Sequence, residues 1–241
     1  MCQGLRGGNV VRLHTMIGAL AAAAIVMTGC SNQEPEEQIY EHLEEAVSQE
    51  ETFREQQEPM VELEEKEQQL YDEIIALNMD QFDQIKEKSE EAAGIVEERR
   101  NKLELEKESI DAAKAEFDEI KSPVEDLGEE NEEARDKAQE LIDVMEKRYS
   151  TYEELYNAYD EALTLDAELY EMTQKEDLKE EDLKAQVEQI NESYNQVIEK
   201  NEAFNQYTDE YNTLKKELYE TMELEVTYEE SEEDTTEEDA S

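Results

Sequence analysis

Stepping alternately three and four residues from Phe82 lands on Phe82, Ile85, Ser89, Ala92, Val96, Arg99, Leu103, Glu106, Ile110, Ala113, Phe117 and Ile120, nine of twelve apolar. Carried across Pro123, the same register reads Val124, Leu127, Asn131, Ala134, Ala138, Leu141, Met145, Arg148, Tyr152, Leu155, Tyr159, Ala162, Asp166 and Leu169, apolar at eleven of fourteen. Residues at this spacing share one face of a helix. A face this long is buried by laying further helices along it at the shallow angles of a coiled coil or bundle.

Two further stripes flank this one. Leu183, Val187, Ile190, Tyr194, Val197, Asn201, Phe204, Thr208, Tyr211, Lys215, Leu218 and Met222 repeat the pattern, and a looser set runs Ile39, Leu43, Ala46, Phe53, Met60, Leu63, Leu70, Ile74 and Leu77. The alternation slips near Pro59, where a kink or break is expected. Corners are predicted at residues 76–81, 121–130 and 173–182, with Ser122 as a cap and Pro123 opening a helix. Three corners make four helices of similar length, so the fold class is all-α: an up-and-down antiparallel four-helix bundle of long helices with coiled-coil packing. Because the register runs on through Pro123, one kinked helix there, giving a longer oligomeric coiled coil, is the alternative; the oligomeric state is open.

Composition bears on whether these stripes fold. With 70 Asp and Glu against 22 Lys and Arg, the net charge is -48, a balance that can signal disorder. The periodicity argues for helices instead. Beyond residue 30 the glycines are Gly94 and Gly128 and the prolines Pro35, Pro59 and Pro123, too few turn formers for hairpins or phosphate-cradling loops. Nucleic acid and anionic headgroups are repelled, so neither is a direct partner. The last residues, 226–241, are dense in Glu and Asp with little to bury and read as a disordered acidic tail.

The N-terminus carries an address. Arg6 and Arg12 precede the apolar run Met16 to Met27, which as a helix covers about 18 Å and falls short of about 30 Å of bilayer hydrocarbon. The run ends Met27-Thr28-Gly29-Cys30, which resembles a bacterial lipobox. That resemblance implies cleavage between Gly29 and Cys30 and a diacylglyceryl thioether on Cys30. Residues 1–29 are then a lipoprotein signal peptide, 30–35 a lipidated linker and 36–225 the bundle. Losing Arg6 and Arg12 takes the net charge from -48 to -50. Cys2 leaves with the leader, so the mature chain forms no internal disulfide, and its expected place is the extracellular face of the membrane.

No catalytic residue is predicted. His42 is the sole imidazole beyond the leader, with no thiol or second histidine to work beside it. Acidic pairs such as Glu64/Glu65, Glu90/Glu91 and Glu129/Glu130 lack a calcium-loop pattern and read as diffuse counterion binding, so no metal ligands and no cofactor beyond the Cys30 lipid are expected. The stretch "RYSTYEELYNAY" places Tyr149, Tyr152, Tyr156 and Tyr159 in a ladder. Tyr152 and Tyr159 lie on the core stripe, which leaves Tyr149 and Tyr156 as candidate glycan contacts.

Together the lipobox, "IYEHLEEAVSQEETFREQQEPMVELEEKEQQLYDEI" and "RYSTYEELYNAY" resemble the YkyA-like cell-wall-binding lipoproteins of Gram-positive bacteria. The resemblance implies an all-helical surface lipoprotein and carries no catalytic residues. Two functional classes follow: a non-catalytic envelope-interaction protein, whose partner is a cell-wall polymer or another envelope protein, and a small-ligand or divalent-cation-binding module.

Overall fold

A computed structural model describes residues 34–224 and 226. The expected leader, Cys30 linker and most of the acidic tail lie outside them. Six helices follow in order: α1 Pro35–Gln49, α2 Glu51–Ala76, α3 Phe82–Asp118, α4 Lys121–Asp126, α5 Glu132–Thr173 and α6 Glu180–Thr221. All three predicted corners are present, and among the described residues there is no strand.

The helices make four antiparallel arms, α1 with α2 forming the first. Lys88 of α3 meets Glu73 of α2 at 2.5 Å, near one end of that pair, while the Ser109 hydroxyl meets the Phe53 N–H at 3.1 Å far along it. Lys107 and Phe117 of α3 then face Glu153 and Tyr149 of α5, and Arg148 and Asp166 of α5 face Thr208 and Tyr194 of α6. In each pair one chain position rises as the other falls. The ring closes where Phe53 packs between Tyr152 and Phe204, with ring centroids 5.9 and 6.0 Å away, and where Tyr40 stacks on Tyr219 at 5.2 Å. Pro123 therefore marks a corner, and the single kinked helix is excluded.

The stripe residues Ile39, Leu43, Ala92, Val96, Ile110, Leu141, Met145, Ala162, Val197 and Leu218 are buried, and each large apolar side chain contributes about 1.5–3 kcal/mol. In α4, Pro123 is the third helical residue, where a backbone N–H has no helical acceptor in any case. Ser122 lies inside that helix and makes no side-chain cap, which corrects the expected role of Ser122.

Two further expectations are corrected. The first arm does not break at Pro59; α2 runs through it, and the interruption is at Glu50. The carbonyl that Pro59 leaves without a helical donor belongs to Glu55, an exposed residue on the solvent side of the helix. At Glu50 the neighbouring arm repairs the gap, because Ser109 Oγ accepts from the Phe53 N–H and donates to the Gln49 carbonyl at 2.6 Å. In the first turns of α6, Leu183, Val187 and Ile190 are only half-buried, whereas Gln186 and Ser193 are buried. There the helix turns its inner face to α5, with the Gln186 amide donating to the Leu165 carbonyl at 2.8 Å.

The rod has two distinct ends. Glu36, at the start of α1, takes a hydrogen bond from Asn131 in the α4–α5 corner, and Glu44 meets Lys215 and Tyr219 near the end of α6. The start of the described chain, the α4–α5 corner and the end of α6 thus share one end. The other end holds the α2–α3 and α5–α6 corners, with Ile75 and Met79 exposed. Helices α5 and α6 have 42 residues each, so the ends lie about 60 Å apart.

Candidate functional site

Polar residues standing on the apolar stripes are the departure that needs a cause. Lys215, Arg148, Glu106 and Arg99 all lie inside the bundle, and a buried charge costs several kcal/mol unless it is paired and hydrogen-bonded. Three of them are. Lys215 Nζ donates to Glu44 Oε1 at 3.0 Å, and the Tyr219 hydroxyl donates to the same oxygen at 2.8 Å. Arg148 makes a two-pronged pair with Glu50 at 2.6 and 2.8 Å, donates through Nε to Thr208 Oγ1 at 2.9 Å, and sets its guanidinium 4.8 Å from the centre of the Phe204 ring. That pairing holds the joint between α1 and α2.

The largest cluster lies about midway between the Glu50 joint and the exposed tip. Arg99 of α3 donates to Glu67 Oε2 at 2.5 Å, Glu64 Oε1 at 3.2 Å and Asp166 Oδ2 at 3.4 Å, and to the hydroxyls of Tyr159 and Tyr194 at 2.7 and 2.9 Å. Tyr159 in turn donates to Glu64, and Tyr194 to Asp166 at 2.6 Å. Three carboxylates from α2 and α5 thus share one guanidinium, and all four arms are tied at one level. One cation does not neutralise three acids, so burial, opposed by Arg99, pushes the Glu64 carboxyl up, and burial with the charge of Glu67 pushes Asp166 up.

Two helical turns nearer the end that holds the start of the described chain, Glu106 of α3 is buried and accepts from the Gln57 amide at 2.9 Å. Burial first, and the charge of Glu64 second, raise its carboxyl to about 8 from 4.5. It borders a cavity of about 30 Å³ whose wall also includes Glu64, Met60, Tyr152, Tyr156 and Asn201. Such a space holds a single water or small ion.

The tyrosine ladder is placed differently from the expectation. Tyr149 is 5% exposed, packed edge-on against Phe117 with Lys114 5.5 Å from its ring centre, so it presents no face to a glycan. Its position beside Arg148 widens the buried face of α5 by one residue. Tyr156 is half-buried, with Lys107 Nζ 5.9 Å from its ring centre. Tyr152 and Tyr159 are core residues, as their stripe position predicts. His42 bridges α1 to α3 through Glu116 at 2.6 Å, both side chains about one-third exposed, a clamp between arms. Gly29 and Cys30 lie outside the described residues.

Among the described residues no three His, Cys, Asp or Glu side chains are gathered to hold a metal ion, and no helix is long and apolar enough to cross a membrane. Arg99, Glu106, Arg148, Asp166 and Lys215 could have been found in the sequence as the polar members of the stripes. Their partners Glu44, Glu50, Glu64 and Glu67 could not, because nothing local separates them from the other acids.

The family of the YkyA proteins, described as "Putative cell-wall binding lipoprotein", matches residues 34–221. A curated relative, "Uncharacterized lipoprotein YkyA" of Bacillus subtilis (strain 168), is 37% identical over 203 residues, covering 84% of this chain and 90% of that protein. The backbone is also similar to the crystal structure of a conserved protein of unknown function from Staphylococcus aureus, with a TM-score of 0.64 over 79% of this chain and 98% of that one. At 14% identity that likeness concerns the fold alone.

Proposed function

Because the chain belongs to the YkyA family of lipoproteins, we propose that it is a non-catalytic spacer on the outer face of the cell membrane. A lipid on Cys30 tethers it, and its flanks and far tip meet a wall polymer or another envelope protein.

The observation that carries this reading is the polarity of the rod. Glu34 begins the described chain at one end, and three residues lie between it and Cys30, four chain steps that span at most about 14 Å when extended. A lipid on that sulfur holds this end near the headgroups and leaves the exposed Ile75 and Met79 about 60 Å out. Two acyl chains make such a tether durable where one would not.

Charge limits what the flanks can meet. A mature chain at -50 is repelled by phosphate-rich polymers, so a wall contact on this surface is to uncharged glycan or passes through bridging cations. Tyr156, half-buried with Lys107 near its ring, is the more exposed of the two tyrosines offered for glycan contact. The test combines two measurements: the intact mass of the N-terminal peptide from native membranes, and retention on isolated walls with and without chelator. A diacylglyceryl mass on Cys30, with release of Cys30→Ser into the medium, supports the tether. An unmodified terminus elsewhere refutes it. Retention that survives chelator and falls in a folded Tyr156→Ala variant supports glycan contact; equal retention of the variant removes it.

A further inference from the structure

The buried acids of the bundle differ in one respect. Glu50 meets Arg148, and Glu67 and Asp166 meet Arg99, but among the described residues Glu106 has no Lys, Arg or His nitrogen within the 4.0 Å of an ion pair. It is 6% exposed, and its hydrogen bond from Gln57 is neutral. The cavity of about 30 Å³ opens against it, and Tyr152, 1% exposed on the same wall, has a hydroxyl with no hydrogen-bond partner. Of the charged groups around Tyr152, Glu106 acts on that hydroxyl most strongly, while burial keeps the phenol protonated. A buried carboxyl without a counter-charge and a buried hydroxyl without a partner therefore border one ion-sized space.

We infer that this cavity is a site for one monovalent cation such as Na⁺, held by the carboxylate of Glu106, the hydroxyl oxygen of Tyr152 and the carboxylate of Glu64. The charge balance selects the valence. Arg99 is already shared by Glu64, Glu67 and Asp166, so ionising Glu106 adds one negative charge that no side chain offsets, and one monovalent cation restores the balance. A divalent ion takes six or more oxygens and several carboxylates, which this wall does not supply. Binding exchanges one positive charge for another: Na⁺ enters, the Glu106 carboxyl gives up its proton to solvent, and the net charge of the interior is unchanged.

The groups facing Glu106 allow this exchange. From α2 come Gln57 and Glu64, from α5 Tyr152, Tyr156 and Tyr159, and from α6 the uncharged Asn201. On α3 itself Lys102 acts from a distance and is engaged with Gln56 at 3.2 Å. No fixed cation competes for the cavity among these. The site does not depend on the lipid tether, and its failure would leave the spacer reading untouched.

The test is thermal unfolding of the full chain in detergent, followed by helical circular dichroism in NaCl, KCl or choline chloride at matched ionic strength. At pH about 9, a tenfold excess of Na⁺ over its dissociation constant raises Tm above the choline value by about 3–6 °C. At pH about 5 the increment vanishes, because Glu106 keeps its proton. It also vanishes in Glu106→Gln and shrinks in Tyr152→Phe, which keeps the ring contacts with Phe53 and Phe204. Addition of NaCl to weakly buffered protein near neutrality releases about one proton per chain. Equal Tm in all three salts, an increment that persists in Glu106→Gln, or no proton release means that the cavity holds a water only, and overturns the inference.

Discussion

Replacing Arg148 by methionine removes the cation that, among the described residues, meets Glu50, with little change in side-chain length. Glu50 is 3% exposed, and both its oxygens are taken by that guanidinium at 2.6 and 2.8 Å. Stripped of it, Glu50 must stay as an unpaired buried charge, take up a proton, or pull the α1–α2 joint open to water. Breaking a buried pair from one side costs about 3–5 kcal/mol. For a chain of this size that lowers Tm by about 10–15 °C. Urea unfolding at neutral pH measures the loss directly, and the double replacement Arg148→Met with Glu50→Gln separates its causes. With both charges gone the desolvation penalty goes too, so the double variant recovers to within about 1 kcal/mol of the parent. A loss below about 1 kcal/mol in the single variant, or a double variant as unstable as the two singles summed, would refute the claim that Glu50 is held inside by Arg148.

Other outcomes follow from the same interior. Glu106→Gln stabilises the protein in choline salts, and the gain grows with pH. The folded carboxyl holds its proton up to about 8 while the unfolded one releases it near 4.5, so the wild type loses stability as pH rises between those values. The difference at pH 7 is about 3 kcal/mol and disappears near pH 4, read as the gap between the two denaturation curves. Glu223→Gly stabilises by about 1 kcal/mol in the same assay. Glu223 has φ 55 just past α6, where its N–H bonds the Glu220 carbonyl and that of Leu224 the Tyr219 carbonyl, a helix end that favours glycine.

The arms and corners were legible because helical periodicity is local: three-and-four spacing read along the chain locates each buried face and the places where it lapses. The joint at Glu50 was not legible, since it depends on Ser109 and Arg148 arriving from other arms, whereas Pro59, the visible breaker, is tolerated on a face open to water. Arg99, Glu106, Arg148, Asp166 and Lys215 stood out only as interruptions of the stripes. Which of 70 acids would pair with them is decided by the stagger of neighbouring helices, and single-chain spacing does not encode that stagger. Tyr149 shows the same limit: it is one step off the stripe, yet Phe117 closes over it.

In the proposed arrangement the rod stands end-on, tethered beside the α4–α5 corner and free at the α2–α3 corner. Energy transfer from a donor on the natively processed protein to acceptor lipids in the membrane tests it most directly, with the donor placed at Glu125 or at Asn78 through single cysteine substitutions. Strong transfer from residue 125 and little from residue 78, some 60 Å further out, is the predicted result. Equal transfer from both positions, or none from either, would contradict it.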